Sequence, residues 1–237
     1  MEQLVCKNLA LGYEGKTVCE NINLTVNEGD YLCVVGENGT GKSTFIKTII
    51  GLLQPVSGEI ATAEGLSRRN IGYLPQQTPV QRDFPASAFE VVISGCLGKR
   101  GTRPFYGKAE KQTAETNMKR LGIWNLARKC YRELSGGQQQ RILLARALCA
   151  AEKIILLDEP AAGLDPHATA EMYDIIRRLN KEDKMTVIMV SHDKMAIEYA
   201  THVLHLGEKP LFCGSKADYL KSEAARLFIC SCGGNHD

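Results

Sequence analysis

An apolar run, Tyr31-Leu-Cys-Val-Val35, leads directly into Gly36-Glu-Asn-Gly-Thr-Gly-Lys-Ser-Thr44, and a helical pattern opens at Lys42. This order of buried strand, glycine-rich loop and helix restricts the fold more than any other stretch. Short apolar runs bounded by turn signals suit strands buried in a parallel sheet. A loop rich in glycine lets backbone N–H groups crowd round an anion, and the helix behind it adds the positive end of its dipole. Gly36, Gly41, Lys42 and Ser43 match G-x-x-x-x-G-K-[ST], in the strand–loop–helix context that gives the match its weight. Glu37, Asn38, Gly39, Thr40 and Thr44 complete the loop. The backbone from Asn38 to Ser43 is expected to cradle a β-phosphate, with Lys42 neutralising β/γ charge and the Ser43 hydroxyl ligating Mg²⁺. A glycine-rich loop with an incidental lysine is the competing reading, and the flanking elements weigh against it.

The 237-residue chain is read as a single domain, 1–237, with a helical insertion about 77–135 and a short tail 228–237. Residues 2–27 alternate apolar and polar positions around a turn at Gly12–Lys16, which predicts antiparallel strands. Ile71–Leu74, Ile154–Leu157 and Thr186–Val190 read as further strands. Between 77 and 135 the pattern turns helical, over Ala86–Leu97 and Lys108–Leu121, separated by a Gly/Pro-rich stretch from Gly98 to Gly107. Met172, Ile175, Ile176 and Leu179 repeat at i, i+3, i+4, i+7 after Pro166, giving one apolar helix face. Alternation of this kind implies an α/β fold with a parallel core.

Net charge is +2, from 29 basic and 27 acidic residues, so charge gives no reason to expect nucleic acid as a partner. No apolar stretch reaches the ~18 residues that span a bilayer, and the start lacks a signal-peptide shape. The nine cysteines sit mostly in apolar runs and read as reduced, buried thiols.

Two further strings carry chemistry. In Ile154-Ile-Leu-Leu-Asp-Glu-Pro160, four apolar residues deliver two carboxylates to a strand's C-terminal end, where α/β folds bind ligands. Asp158 is assigned to Mg²⁺ and Glu159 to orienting and deprotonating an attacking water. In Leu134-Ser-Gly-Gly-Gln-Gln-Gln-Arg141, Ser135, Gly136 and Gly137 carry little side-chain bulk, and a helix is expected to open at Gln138. That is either a phosphate contact or a plain helix cap by Ser135. His192 ends the strand Thr186-Val-Ile-Met-Val-Ser191 and is placed to hydrogen-bond a γ-phosphate; Gln76, after Ile71–Pro75, is placed to sense Mg²⁺ or the water.

Taken in order, these strings resemble the ATP-binding cassette (ABC) family over essentially the whole length. The resemblance implies a P-loop NTPase (ABC ATPase) core with a parallel sheet, an N-terminal antiparallel part and an inserted helical subdomain. It assigns an adenine-stacking aromatic to Tyr13, Walker A to 36–43, a Q-loop to Gln76, a signature to 134–138 including Gln138, Walker B to 154–159, a D-loop to Gly163-Leu164-Asp165 and an H-loop to His192. It also implies ATP and Mg²⁺, and a homodimer in which the signature of one copy faces the P-loop of the other. Residues 71–95, with Asp83-Phe-Pro85 ahead of a helix, are similar to zinc and manganese importer ATPases. An integral membrane permease, an extracytoplasmic metal-binding protein acting indirectly, and a peripheral place on the cytoplasmic face of the membrane follow from that likeness. Asp83 and Ser87 would alternatively serve as caps of that helix. Importers of chelated iron, haem or cobalamin, and a soluble Fe–S assembly ATPase, are the other members considered. The tail bears Cys230, Cys232, His236 and Asp237, expected to be mobile and reduced, with zinc ligation as the alternative.

Overall fold

The computed structural model describes residues 1–13, 15–77, 83–101 and 103–231. Of the tail ligand set, Cys232, His236 and Asp237 lie outside the described residues, as do positions 78–82 of the importer-like string. The chain divides into two compact units, Met1–Arg68 with Leu179–Asp237, and Arg69–Arg178.

The first unit holds two sheets. β1 (Glu2–Tyr13), β2 (Lys16–Asn27) and β4 (Ser57–Thr62) form the antiparallel sheet expected from the alternating N-terminal pattern, in the order β2-β1-β4. Alternate β2 residues are buried because one face of that strand packs inward. β3 (Tyr31–Gly36) lies parallel to β7 (Thr186–Val190) and β8 (His202–Leu206), and β9 (Pro210–Ser215) closes the edge antiparallel to β8. β3 and β7 are buried at every position, as continuous apolar strands in a parallel sheet must be.

The second unit pairs β5 (Ile71–Leu74) with β6 (Ile154–Asp158) in parallel and carries the inserted helices. It extends further than 77–135 because β5 and the helix Gly136–Ala150 are pressed together. A Cβ added at Gly72 would stand 2.5 Å from the Ala147 carbonyl oxygen. Gly72→Val is therefore expected to cost about 3 kcal/mol, since a backbone atom cannot step aside. For a chain of this size that is a fall of about 6–12 °C in Tm by differential scanning calorimetry. An unchanged midpoint would refute the close approach.

The expected helix over Ala86–Leu97 is broken in three: Ala88–Ile93, a 3₁₀ turn Ser94–Cys96, and Leu97–Arg100. The reason is again a glycine against a backbone, here the Gly95 Cα facing the Arg146 carbonyl. Its start is set by Ser87, whose hydroxyl accepts from the Glu90 N–H while the Glu90 carboxylate accepts from the Ser87 N–H. The hydrogen bond from Ser87 holds the Glu90 carboxyl below its ordinary range. The capping reading of Ser87 is thus observed.

Candidate functional site

In the first unit the phosphate loop is held by its neighbours on β8. A Cβ at Gly36, where φ is 147°, would meet the Leu206 carbonyl oxygen at 2.4 Å, so only glycine lets the two strands pair there. Gly41 ends the loop at φ 94°, and the helix Lys42–Ile49 starts with the Phe45 N–H donating to the Gly41 carbonyl at 2.7 Å. Helix geometry leaves the N–H groups of Lys42, Ser43 and Thr44 without intrahelical acceptors. Lys42 is only 7% exposed and folds back, Nζ donating to the carbonyls of Gly36 at 2.8 Å and Glu37 at 2.7 Å. Thr40 Oγ1 donates to the same Glu37 carbonyl at 2.9 Å. Glu37, Asn38 and Gly39 are exposed. The result is a loop wrapped round an ammonium group, with helix-start donors beside it: an anion site by construction.

Two other predicted residues belong to this unit. Ser191, the last residue before His192, donates its N–H to the Val34 carbonyl at 3.2 Å, which brings exposed His192 to the strand that feeds the loop. Asp193 caps the helix that follows by accepting from the Met195 N–H. Tyr13 is 58% exposed at the end of the β1–β2 hairpin. The same hairpin abuts the loop, since a Cβ at Gly41 would lie 3.3 Å from Val18 Cγ1 and 3.8 Å from Leu11 Cδ1.

In the second unit β6 delivers Asp158 almost buried, 3% exposed, and Glu159 partly exposed beyond it. Glu159 adopts a left-handed φ of 50° immediately before Pro160, a conformation that costs a non-glycine residue about 1–2 kcal/mol. The strained turn aims the side chain at Gln76, whose Nε2 donates to Glu159 Oε2 at 3.1 Å. Two residues called separately from sequence, 83 positions apart, therefore meet. Burial, with the Asp158 carboxylate adding to it, pushes the Tyr73 phenol up to about 12.

The helix Gly136–Ala150 opens two residues earlier than expected at Gln138. Ser135 is its cap: the hydroxyl accepts from the Gln138 N–H at 3.4 Å, and Gln138 Oε1 accepts from the Ser135 N–H at 3.1 Å. This reciprocal pair fixes the start, because Ser135 and Gln138 satisfy each other's backbone groups. The cap and the anion site are compatible, since the N–H groups of Gly136 and Gly137 in the first turn have no intrahelical acceptor. Ser135, Gly136 and Gly137 line a cavity of about 570 Å³ with Gly163, Leu164 and Asp165. Asp165 is itself a cap, accepting from the Ala168 N–H at 2.9 Å, and that bond holds its carboxyl below the ordinary range.

A family model described as "ABC transporter" matches residues 19–162, well over half of the chain. The chain belongs to the ABC transporter family. A second model, described as an AAA domain, matches 128–197 only. The zinc uptake system ATP-binding protein ZurA of Listeria innocua is 33% identical over 90% of this chain and 85% of its own length. The manganese transport system ATP-binding protein MntB of Bacillus subtilis is 39% identical over 81% of this chain and 77% of its own. Among solved structures, a dimeric ATP-binding cassette in a post-hydrolysis state with ADP and Pi superposes at a TM-score of 0.74, with 27% identity, over 90% of this chain and 98% of that one. The α/β P-loop core, antiparallel N-terminal part and inserted helices are thus an ABC ATPase fold, and the enzyme class is that of an ATPase.

The ABC fold also uses residues that the sequence did not single out. Gln77 Nε2 donates to the Tyr131 hydroxyl at 2.7 Å and to Gln139 Oε1 at 3.3 Å, and Gln139 Nε2 donates to the Tyr131 carbonyl at 3.0 Å. This chain of bonds ties the segment after Gln76 to the signature helix. Arg141 forms an ion pair with Glu171 at 3.2 Å across the signature cavity. Gln139 and Gln140 are only 4% and 3% exposed; buried amides on a largely apolar helix are a sequence-readable signal, but only once the helix register is known.

Proposed function

We propose that this chain is the ATP-hydrolysing subunit of a membrane transporter that imports a divalent metal ion, zinc or manganese, through a separate permease. The observation that carries the enzymatic part is the strained Glu159, delivered by a buried strand and held by Gln76. The metal reading rests on relatives named for zinc uptake and manganese transport. Residues 1–237 work as one cassette.

In this reading ATP lies on Gly36–Thr44, with Lys42 and the helix-start N–H groups neutralising the phosphates and Tyr13 stacking on the adenine. Glu159 orients and deprotonates the attacking water, Gln76 positions Glu159, and His192 donates to the γ-phosphate. Phosphoryl transfer of this kind is positioning and electrostatics rather than covalent chemistry. The hydroxyl of Ser43, the carboxylate of Asp158 and the amide oxygen of Gln76 are hard oxygen donors of the type Mg²⁺ selects, and fit it. When bound, Mg²⁺ would neutralise β/γ charge.

A second copy of the chain supplies Ser135, Gly136, Gly137, Gln138 and Asp165 to the γ-phosphate, so the working form is a homodimer. The permease holds that dimer at the cytoplasmic face of the membrane, and an extracytoplasmic metal-binding protein acts through the permease. Among the described residues no helix is long and apolar enough to cross a membrane.

Gly136→Asp tests the sandwich. A Cβ there meets only Leu164 Cδ2 at 3.6 Å, an ordinary contact, so the variant folds. It is expected to bind ATP as monomer with unchanged affinity, yet to lose ATP-driven dimerisation in light scattering, because a carboxylate replaces the phosphate contact. Equal loss of nucleotide affinity would sink the assignment. The cargo is tested by vesicle reconstitution with the cognate permease and a panel of metals: ATP-dependent uptake of zinc or manganese is expected. Uptake of an iron chelate, haem or cobalamin alone would overturn it.

A further inference from the structure

Cys96 and Cys149 are buried, 1% and 0% exposed, and have no part in the phosphate chemistry. They stand side by side within the second unit, each in a hydrogen bond to the helix Lys108–Arg120. Asn117 Nδ2 donates to Cys149 Sγ at 3.5 Å, and the Cys96 thiol donates to the carbonyl of Glu110, which lies on the same helix as Asn117, at 3.8 Å. Gly95, the residue before Cys96, packs against the helix turn that holds Cys149. A Cβ added at Gly95 would lie 3.0 Å from Cys149 Cβ and 2.0 Å from the Arg146 carbonyl oxygen. One thiol belongs to the 3₁₀ turn Ser94–Cys96 of the inserted helices, the other to the C-terminal end of the signature helix.

We propose that Cys96 and Cys149 are a redox modification site, forming a reversible disulfide that joins the inserted helices to the signature helix. Burial raises the thiols of Cys6, Cys19 and Cys33, which keeps them protonated. Cys96 behaves oppositely. The hydrogen bond from Cys149, assisted by the Lys99 ammonium, holds it below the ordinary thiol range, while the same contact pushes Cys149 up. Cys96 is therefore the more readily deprotonated of the two and the attacking sulfur, with Cys149 resolving.

With a peroxide as oxidant, the Cys96 thiolate attacks one peroxide oxygen. The O–O bond breaks, and the departing hydroxide takes up a proton as water, leaving a sulfenic acid on Cys96. The Cys149 sulfur then attacks that sulfenic sulfur. The S–S bond forms, the S–O bond breaks, and the leaving hydroxide takes the Cys149 proton as a second water. Two thiols lose two electrons in all, and the peroxide gains them. A small dithiol reverses the change by thiol–disulfide exchange.

A disulfide brings the sulfurs to about 2.05 Å, well inside hydrogen-bond contact, so the turn and the helix must draw together. The Glu110 carbonyl loses its S–H donor at the same time. Both shifts load the far end of the helix whose first turn is the signature, and a coupling through such packed elements alters activity by about 2- to 30-fold.

The test uses the full chain treated with hydrogen peroxide, alkylated and mapped by peptide mass spectrometry. A Cys96–Cys149 linked peptide is expected, with ATPase activity reduced within that range and restored by dithiothreitol. Cys149→Ala should stop at a dimedone-reactive sulfenic acid on Cys96 and lose the dithiothreitol-reversible link. Mapping of the unmodified chain does not depend on any variant folding. Recovery of both thiols free after peroxide, or of Cys96 joined to another cysteine, overturns the pairing. A link that forms with no change in ATPase rate overturns its effect on the signature helix. Because the mapping needs no nucleotide, its outcome is independent of the transporter reading.

Discussion

Glu159→Gln is expected to slow ATP hydrolysis by about 10²–10⁴-fold while leaving nucleotide binding intact. That range corresponds to about 2.7–5.5 kcal/mol of barrier. The argument rests on how little else the substitution changes. A carboxamide has nearly the shape of a carboxylate, and its oxygen still accepts from Gln76 Nε2, now at 3.1 Å from Oε2. The left-handed backbone at φ 50° is unaltered, because it is set by the strand end and Pro160. What disappears is the charge that takes a proton from water. Uncleaved ATP should then hold the two copies together, giving a stable dimer in size-exclusion chromatography with ATP and Mg²⁺. A variant that hydrolyses ATP at the parental rate, or remains monomeric under those conditions, removes Glu159 from the reaction.

Lys42→Ala should act one step earlier. The ammonium group sits 2.7–2.8 Å from two loop carbonyls and is 7% exposed, so it is part of the loop's framework as well as its charge. Its hydrogen bonds to phosphate oxygens are charge-assisted, each contributing about 1.5–3 kcal/mol. Losing two of them weakens ATP binding by at least about 100-fold, read by titration with a fluorescent nucleotide. The Gly36 carbonyl loses the ammonium donor, while that of Glu37 keeps Thr40 Oγ1, which lowers stability by about 1–3 kcal/mol in the nucleotide-free protein. Retained affinity would show that the loop does not use this lysine for phosphate. The two variants thus separate binding from hydrolysis, and only the second should shift the thermal midpoint.

The elements that were legible in advance are those with local causes. Tyr31–Gly36 and Ile154–Asp158 announce themselves because continuous apolar runs of four or five residues between turn signals have few other stable homes. The helix Pro166–Lys181 follows from its apolar face, with Met172, Ile175, Ile176 and Leu179 all buried. The helix starts at Ser87 and Ser135 were harder to place. Glu90 and Gln138 complete capping boxes with them, yet a glycine pair at 136–137 reads as loop until the cap geometry is seen. The break at Ser94–Cys96 could not be read at all, since it depends on the Arg146 carbonyl some 50 residues away.

Residue types and spacing determined the phosphate loop, the two acids after β6, the signature string and hence the family, because each needs a particular chemistry within a few adjacent residues. Tertiary structure alone decided that Gln76 reaches Glu159, that Gln77, Tyr131 and Gln139 form one hydrogen-bonded chain, and that Cys96 lies against Cys149. These contacts join residues more than 50 positions apart, where no local propensity specifies a partner. They arise because close packing of strands and helices sets side by side residues that the chain keeps far apart, and polar groups so enclosed pair with what they meet.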